Sequence, residues 1–187
     1  MTVTPHPAET TTAVNAWLSE FGDVLAAGDP AGAAALFAPE CYWRDLVAFT
    51  WNIKTMEGRG AIAEMLQAVL PRVTPSGWRI TPGEEPAEAG GVIEAWIDFE
   101  TAAGRGHGHL RLAGGQCWTL LTTLYELAGH EEPRGLTRPK GVHHGADRGR
   151  ASWSERREQE EAQLGVTEQP YVVIVGGGQG GIALGAR

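Results

Sequence analysis

The first part of the chain carries apolar residues at helical spacing. They recur every three or four positions, at Val14, Trp17, Leu18, Phe21, Val24 and Leu25. Gly28 follows where a left-handed residue would end such a helix. Next, Asp29 can act as an N-cap acceptor, and Pro30 stands at the first helical position, where its missing N–H costs nothing. The pattern therefore predicts an amphipathic helix followed by a short second helix.

A strand and a third helix come next in the pattern. The aromatic and branched residues of "CYWRDLVAF", residues 41–49, favour a strand. In "GRGAIAEMLQAVLPRV" the apolar residues return to a period of 3.6, which predicts a helix that ends before Pro71. The apolar positions of this helix are Ile62, Met65, Leu66, Val69 and Leu70.

The second half of the domain has strand composition with Gly and Pro punctuation. The segments are "GWRITP", "GVIEAWIDFET", "GRGHGHLRLAGG" and "QCWTLLTTLYELAG". In the second segment Ile93, Ile97 and Phe99 alternate with Glu94 and Asp98, so one face is dry and the other is mostly polar. Helices followed by consecutive strands predict an α+β domain whose antiparallel sheet closes on three helices and leaves a conical cavity.

These segments resemble the nuclear transport factor 2-like (polyketide-cyclase-like) family. The resemblance rests on "AWLSEFGDVLAAGDPAGAAALFAPECYWRD", on the turn "MEGRGAI" and on the run of long strands, and it covers roughly residues 10–128. It implies a cone of three helices on a curved antiparallel sheet, in a family that includes enzymes, binding modules and dimerisation domains. The implied partners are a small molecule and a second copy of the chain, bound through the sheet.

The composition limits the partners further. The net charge of −8 has its acidic excess in residues 1–130, which hold seven Lys/Arg against fifteen Asp/Glu. Because no basic stripe is available for phosphates, we expect no nucleic-acid partner. No segment approaches the roughly 20 apolar residues of a membrane-spanning helix. Cys41 and Cys117 lack ligand or C-x-x-C spacing, so we expect buried reduced thiols and a cytoplasmic location.

Three residues of this domain could carry chemistry. Asp45 could point into the cone as a general base, and with His107 and His109 it would form an acid–base unit in an apolar cavity. The alternative is stronger, because an aspartate at a strand end is commonly a turn or surface acceptor. His107 and His109 share their face with Arg105 and Arg111, as on a solvated sheet. We therefore assign no catalytic residue.

Histidines elsewhere give no metal site. His143 and His144 lack a second pair at ligand spacing, so no metal is expected there. The surrounding residues 131–169 hold Gly, Pro and charges of both signs. Within them Ser152 and Glu155 form a capping box, which predicts a short charged helix over about Trp153–Leu164. We interpret residues 131–169 as a linker with one helix.

The chain finishes with an apolar run that enters a glycine cluster, "YVVIVGGGQGGIALGAR". The run over residues 171–175 is typical of a parallel strand buried on both faces, and "IALGAR" can continue as a helix. Gly176, Gly178 and Gly181 fit G-x-G-x-x-G: a tight turn, close approach of a pyrophosphate, and helix–strand packing. A βαβ unit needs about 30 residues, so we expect the piece from residue 170 to be an incomplete dinucleotide-binding domain.

Together with "RPKGVHHGADRGRASWSERREQEEAQLG", this terminus resembles the flavin-containing monooxygenase-like FAD/NAD(P)-dependent oxidoreductases over about residues 138–187. The resemblance implies FAD bound at Gly176, Gly178, Gln179, Gly180 and Gly181. It also implies NADPH as co-substrate and transfer of one oxygen atom of O2 to a small organic substrate. The acidic residue expected about 20 positions after the fingerprint lies beyond Arg187, so a disulfide-reductase-like or another two-dinucleotide flavoprotein stays open.

The sequence thus predicts three segments and two competing functions. Residues 1–130 form the α+β cone, residues 131–169 the linker, and residues 170–187 the start of a Rossmann-type FAD domain. The main hypothesis is that the chain is the N-terminal portion of a flavin-dependent monooxygenase. By itself, this portion is expected to be inactive. The alternative is a stand-alone module that binds a small ligand or dimerises. A hydrolase or isomerase built on Asp45 and the histidines ranks last.

Overall fold

A computed structural model of the chain describes residues 7–138, 149–170 and 172–185. The chain divides into two compact units, Met1–Arg138 and Pro139–Arg187. His143, His144 and Tyr171 lie outside the described residues. The first unit contains the helices and strands that the sequence predicted as an α+β domain.

Three helices of the first unit are α1 Pro7–Ala26, α2 Pro30–Ala35 and α3 Gly58–Val73. The predicted caps are confirmed: Gly28 is left-handed with φ 69°, and the Asp29 carboxylate accepts from the N–H of Gly32 at 2.9 Å. The predicted end of α3 before Pro71 is wrong. The helix continues because one more turn buries Val73, and left-handed Thr74 ends it.

Seven strands form one sheet. They are β1 Phe37–Leu46, β2 Ile53–Glu57, β3 Ser76–Ile80, β4 Ala87–Ala89, β5 Val92–Thr101, β6 Gly104–Ala113 and β7 Gln116–Leu127. Their order is β2-β1-β7-β6-β5-β3, with β4 also paired to β5. The four long segments that predicted strands correspond to β3, β5, β6 and β7, whereas the short strands β2 and β4 were missed.

The prediction of an antiparallel sheet is wrong for one pair. The strands β1 and β7 run parallel, and every other pair is antiparallel. The meander β5–β6–β7 brings the last strand beside the first one, and β7 runs in the direction of β1 because the chain reverses an even number of times between them. The pairing register shifts at four places: once between β1 and β7, once between β3 and β5, and twice between β6 and β7. Such irregularities bend the strands, as β-bulges do.

Side chains of the long strands alternate between two faces. The inner face, toward the helices, carries the buried positions, such as Trp43, Ile97 and Leu110. The outer face carries residues that are half-buried or exposed: Tyr42, Arg44, Leu46, Glu94, Trp96, Asp98, Arg105, His107, His109, Arg111, Thr119, Leu121 and Thr123. The predicted dry and polar faces of β5 are confirmed.

Aromatic rings occupy the space between the sheet and the helices. Trp43 stacks on Phe37 at 5.9 Å and meets the edge of Phe49 at 4.9 Å, while Trp78 stacks on Phe99 at 4.6 Å. The predicted conical cavity is therefore filled at its centre by the chain's own rings. Such pairs add about 0.5–1.5 kcal/mol each beyond the area they bury.

Glycines on the inner face of β6 make this filling possible. A Cβ on Gly106 would collide with the ring of Phe99, and one on Gly108 would collide with the carbonyl oxygen of Leu121. The segment "GRGHGHLRL" thus has glycine where the Phe99 ring or the backbone of the next strand comes too close for a side chain. The same alternation puts His107 and His109 on the outer face.

The second unit contains α4 Trp153–Gln163 and α5 Gln179–Gly185. The predicted capping box is confirmed, because Glu155 N–H donates to Ser152 Oγ and the Ser152 N–H donates to Glu155 Oε2. Within the described residues, no helix combines the length and hydropathy that crossing a bilayer requires. The cytoplasmic location stays a prediction, as do the domain boundaries.

Candidate functional site

Asp45 is the buried carboxylate of the first unit's interior, and its side chain lies on the inner face of β1 with no exposed surface. Its Oδ1 accepts from the hydroxyl of Thr122 at 2.8 Å. Its Oδ2 accepts from the N–H and the hydroxyl of Thr50, both at 2.8 Å. The N–H of Phe49 lies 3.2 Å from Oδ1 and 3.1 Å from Oδ2. The two oxygens therefore have their lone pairs occupied by the protein itself.

A second hydroxyl contact extends this network into the aromatic core. The indole N–H of Trp43 donates to Thr122 Oγ1 at 2.8 Å, and that hydroxyl donates onward to Asp45. Because each buried polar group has a partner, the network avoids the cost of an unpaired charge in an apolar interior. Chains of this kind reinforce one another in a low dielectric.

The network fixes the segment that joins β1 to β2, residues 47–52, which we call the mouth loop. Its two ends hold non-glycine residues in the left-handed region, Val47 with φ 59° and Trp51 with φ 54°. Each such residue costs on the order of 1–3 kcal/mol, most for a β-branched side chain. Between them Phe49 is fully buried against Trp43 and Phe99. Asp45 thus holds a strained loop closed over the core.

Asp45 and the two histidines lie on opposite faces of the sheet. His107 and His109 point outward on β6, whereas Asp45 points inward on β1. These three residues therefore do not form the acid–base unit that ranked last among the hypotheses. The alternative is confirmed in part, since Asp45 is a turn acceptor, but it is buried and not on the surface.

Histidines of the outer face instead surround Trp96. The His107 ring stacks on the indole at 5.1 Å, and the His109 ring meets its edge at 4.6 Å. His107 Nδ1 lies 2.9 Å from Asp98 Oδ1. Burial lowers the pKa of His109 below its usual value, although the Glu94 carboxylate acts in the opposite direction. These residues form a polar surface on the outer face of the sheet. The prediction that His107 and His109 share one face of their strand is confirmed.

Two cavities border α3 on different sides. The larger one, about 740 Å³, lies among α1, α2 and α3, and we call it the helix groove. The smaller one, about 310 Å³, lies where the mouth loop faces α3 and the turn between β5 and β6, and we call it the mouth cavity. Neither cavity contains Asp45 in its lining.

The cysteines behave as the sequence predicted. Cys41 and Cys117 are both free thiols in the buried core. Burial raises the pKa of Cys117 well above its usual value. No cluster of three or more His, Cys, Asp or Glu side chains that could hold a metal ion occurs among the described residues.

The glycine cluster forms a turn that leads into a helix. Gly176 has φ 110°, α5 begins at Gln179, and a Cβ on Gly181 would collide with the carbonyl oxygen of Gly176. A Cβ on Gly178 would meet nothing within 4 Å. The apolar residues before the turn are exposed and form no strand: Val172, Val173, Ile174 and Val175. The prediction of a buried strand over residues 171–175 is therefore wrong for these four residues.

The sequence did not predict the roles of some residues at these sites. Thr122 and Phe49 gave no signal by residue type, since a threonine in a strand and a phenylalanine near one are ordinary. The parity of β1 was a usable signal, because Asp45 is two positions from the apolar Trp43 and so shares its face. Arg72 lines the mouth cavity but belongs to no sequence motif, so nothing in the sequence pointed to it.

A substitution at Asp45 tests the role of its network. We expect Asp45→Asn to lower the free energy of unfolding by about 3 kcal/mol, because an amide NH2 would face donors that now point at an oxygen. Urea unfolding measures the change. Asp23→Asn, at an exposed site on α1, is the matched control and is expected to change stability by less than about 0.5 kcal/mol. Equal stability of the two variants would contradict the role assigned to Asp45.

Comparison with known proteins identifies the family of the first unit. The family model for the SnoaL-like domain matches residues 18–122. No protein with a curated description matches the chain. The family match stops short of residues 138–187, so the resemblance of that segment to flavin-containing monooxygenases stays a prediction.

Three solved structures are similar to the chain. A protein of unknown function from Mycobacterium tuberculosis is 18% identical, with 63% of this chain and 73% of that chain covered and a TM-score of 0.48. A domain of unknown function with a cystatin-like fold from Nostoc punctiforme is 16% identical, over 60% and 75%, with a TM-score of 0.49. A nuclear transport factor 2-like protein of unknown function from Mesorhizobium loti is 21% identical, over 66% and 99%, with a TM-score of 0.45. The family model spans more than half of the residues, and on that match the chain belongs to the SnoaL-like domain family.

Proposed function

We propose that the SnoaL-like unit is a small-ligand-binding module that performs no catalysis by itself. The observation that supports this proposal is the hydrogen bonding of Asp45. Its oxygens accept hydrogen bonds from Thr50, from Thr122 and from the amide of Phe49. A general base needs a lone pair within reach of the substrate proton. The aromatic rings around Phe49 also fill the place that a substrate would take in the cone.

The helix groove is the site that we assign to the ligand. Its volume of about 740 Å³ falls within the usual range for small-molecule sites, which is about 300–1,000 Å³. Leu25, Leu66 and Leu70 form its floor and are themselves core residues. Asp29 stands at its edge but is bound as the N-cap of α2. A ligand that buries about 200 Å² of apolar surface here gains about 5 kcal/mol, so we expect an apolar, uncharged molecule.

A pair of tryptophan substitutions on α3 tests the groove. Ala63 lines it, whereas Ala68 lies on the exposed side of the same helix. We expect Ala63→Trp to fill the groove and weaken binding of the neutral dye N-phenyl-1-naphthylamine by about tenfold or more, a loss of about 1.4 kcal/mol. Ala68→Trp should bind like the unmodified protein. Dye fluorescence measures both, and equal binding by both variants would exclude the groove.

The outer face of the sheet supports a homodimer as part of this proposal. A depression of about 600 Å³ on this face is lined by Tyr42, Trp96, His109 and Leu121, among others. Trp96 is 42% exposed, and aromatic residues are enriched at the centres of protein interfaces. A two-fold axis through this face would bury the same patch on both copies.

Light scattering during size-exclusion chromatography tests the dimer. We expect the unmodified chain to elute as a dimer and Leu121→Glu to elute as a monomer, because the new charge would be buried without a partner. Ser19→Glu, on the exposed side of α1, is the control and should stay dimeric. A monomeric unmodified chain at micromolar concentration would contradict this part of the proposal.

A flavoprotein role of the second unit is the second candidate function. The turn at Gly176–Gly181 favours it, since Gly181 packs against Gly176 where any Cβ would collide and Gly178 leaves its side open. These features fit the separate tasks of the fingerprint glycines. Gly176, Gly178, Gln179, Gly180 and Gly181 would hold the FAD pyrophosphate by their backbone. The flavin would supply the redox chemistry, with NADPH as the electron donor of a monooxygenase.

The product of the native gene, purified from its own cells, tests the flavin candidate. We expect it to release FAD on denaturation and to lose the FAD when it carries Gly178→Ala, because a methyl group there would obstruct the phosphates. Gly177→Ala is the matched control, since a Cβ at either position meets nothing within 4 Å in the structure. A product without FAD, or equal FAD content in both variants, would refute the candidate.

A further inference from the structure

The mouth cavity has features of a binding site that are independent of the helix groove. Val69, Arg72 and Val73 of α3 form one wall, and the mouth loop forms another with Phe49 and Thr50. Its volume of about 310 Å³ is at the lower end of the range for small-molecule sites, about 300–1,000 Å³, so we expect a small ligand. The helix groove takes Leu66, Leu70 and Pro71 from the other side of the same helix.

Arg72 is the cation of this cavity. It is the charged residue in the cavity's lining, and it is exposed in the last turn of α3. Its Nη2 lies 3.5 Å from the carbonyl oxygen of Ala68, and no carboxylate of the described residues pairs with it. The guanidinium therefore keeps most of its donors for another group. Arginine binds carboxylates with two parallel hydrogen bonds.

The mouth loop is built as a clamp over this cavity. Val47 and Trp51 are both left-handed, and Trp51 is 63% exposed beside the cavity that it helps to line. Strained non-glycine residues of this kind cluster at ligand clamps, where the surrounding structure holds them in place. Here the holding contacts come from Asp45, which bonds to the Phe49 amide and to the amide and hydroxyl of Thr50. The clamp is thus fixed before a ligand arrives, which reduces the entropy cost of binding.

We propose that the mouth cavity binds a small monocarboxylate with a flat apolar body, the carboxylate on Arg72 and the body between the mouth loop and Val69 and Val73. One guanidinium balances one negative charge, which favours a carboxylate over a doubly charged phosphate. The apolar walls of Ala48, Val69 and Val73 suit the body of such a ligand. This inference goes beyond the proposed function, because it concerns another cavity and another class of ligand.

Titration of the full chain with benzoate tests the proposal, with benzamide as the neutral molecule of the same shape. Amide chemical shifts in two-dimensional NMR report the site. We expect benzoate at millimolar concentration to shift the signals of Ala48, Phe49 and Thr50 in a saturable way, and benzamide to bind at least about tenfold more weakly. No saturable shift, or equal binding of the two compounds, would overturn the proposal.

Two variants separate this site from the rest of the protein. Arg72→Gln should weaken benzoate binding about tenfold or more without changing the spectrum of the core, whereas Lys54→Gln removes an exposed cation of β2 and should leave binding unchanged. Equal loss in both variants would mean general charge attraction and would overturn the proposal. Ala63→Trp should keep benzoate binding even where it abolishes dye binding, so failure of the helix groove and failure of the mouth cavity give different results.

Discussion

The structure of the SnoaL-like unit depends on a buried carboxylate. Asp45 has no exposed surface, and no cation of the described residues forms an ion pair with it, so its oxygens are satisfied by hydrogen-bond donors of the protein. Those donors come from the mouth loop and from β7, two segments that are distant in sequence. The loop in turn keeps Phe49 in the aromatic core. A single side chain therefore ties together the sheet, the loop and the filling of the cone.

This arrangement gives Asp45 a structural role, because its hydrogen bonds go to the protein's own donors. A fold that places an aspartate on its inner face could expose it to a substrate, but here the loop that follows in the chain covers it. Two cavities lie instead on the two sides of α3, where apolar residues line the helix groove and Arg72 borders the mouth cavity. The two ligand sites that we propose are thus separated from the buried carboxylate.

Local sequence signals predicted local structure well. Gly28, Asp29 and Ser152 each have a chemistry that specifies one end of a helix, and each is found in that role. Local sequence signals gave wrong predictions where contacts between distant parts of the chain determine the structure. Pro71 stays inside α3 because Val73 gains burial, and the parallel pairing of β1 with β7 follows from the path of the whole sheet. The position of Asp45 could be predicted from the parity of its strand, but its partners Thr50 and Thr122 could not, because they are brought together only by the folded loop and β7.

Hydrogen exchange at the backbone amides of Phe49 and Thr50 tests the central claim most directly. If Asp45 holds the mouth loop closed, both amides should exchange as slowly as those of the central strands, because they open only when the core opens. Exchange of these two amides at the rate of an unstructured peptide, in a protein whose central strands remain protected, would show that the buried carboxylate does not hold the loop and would contradict the account.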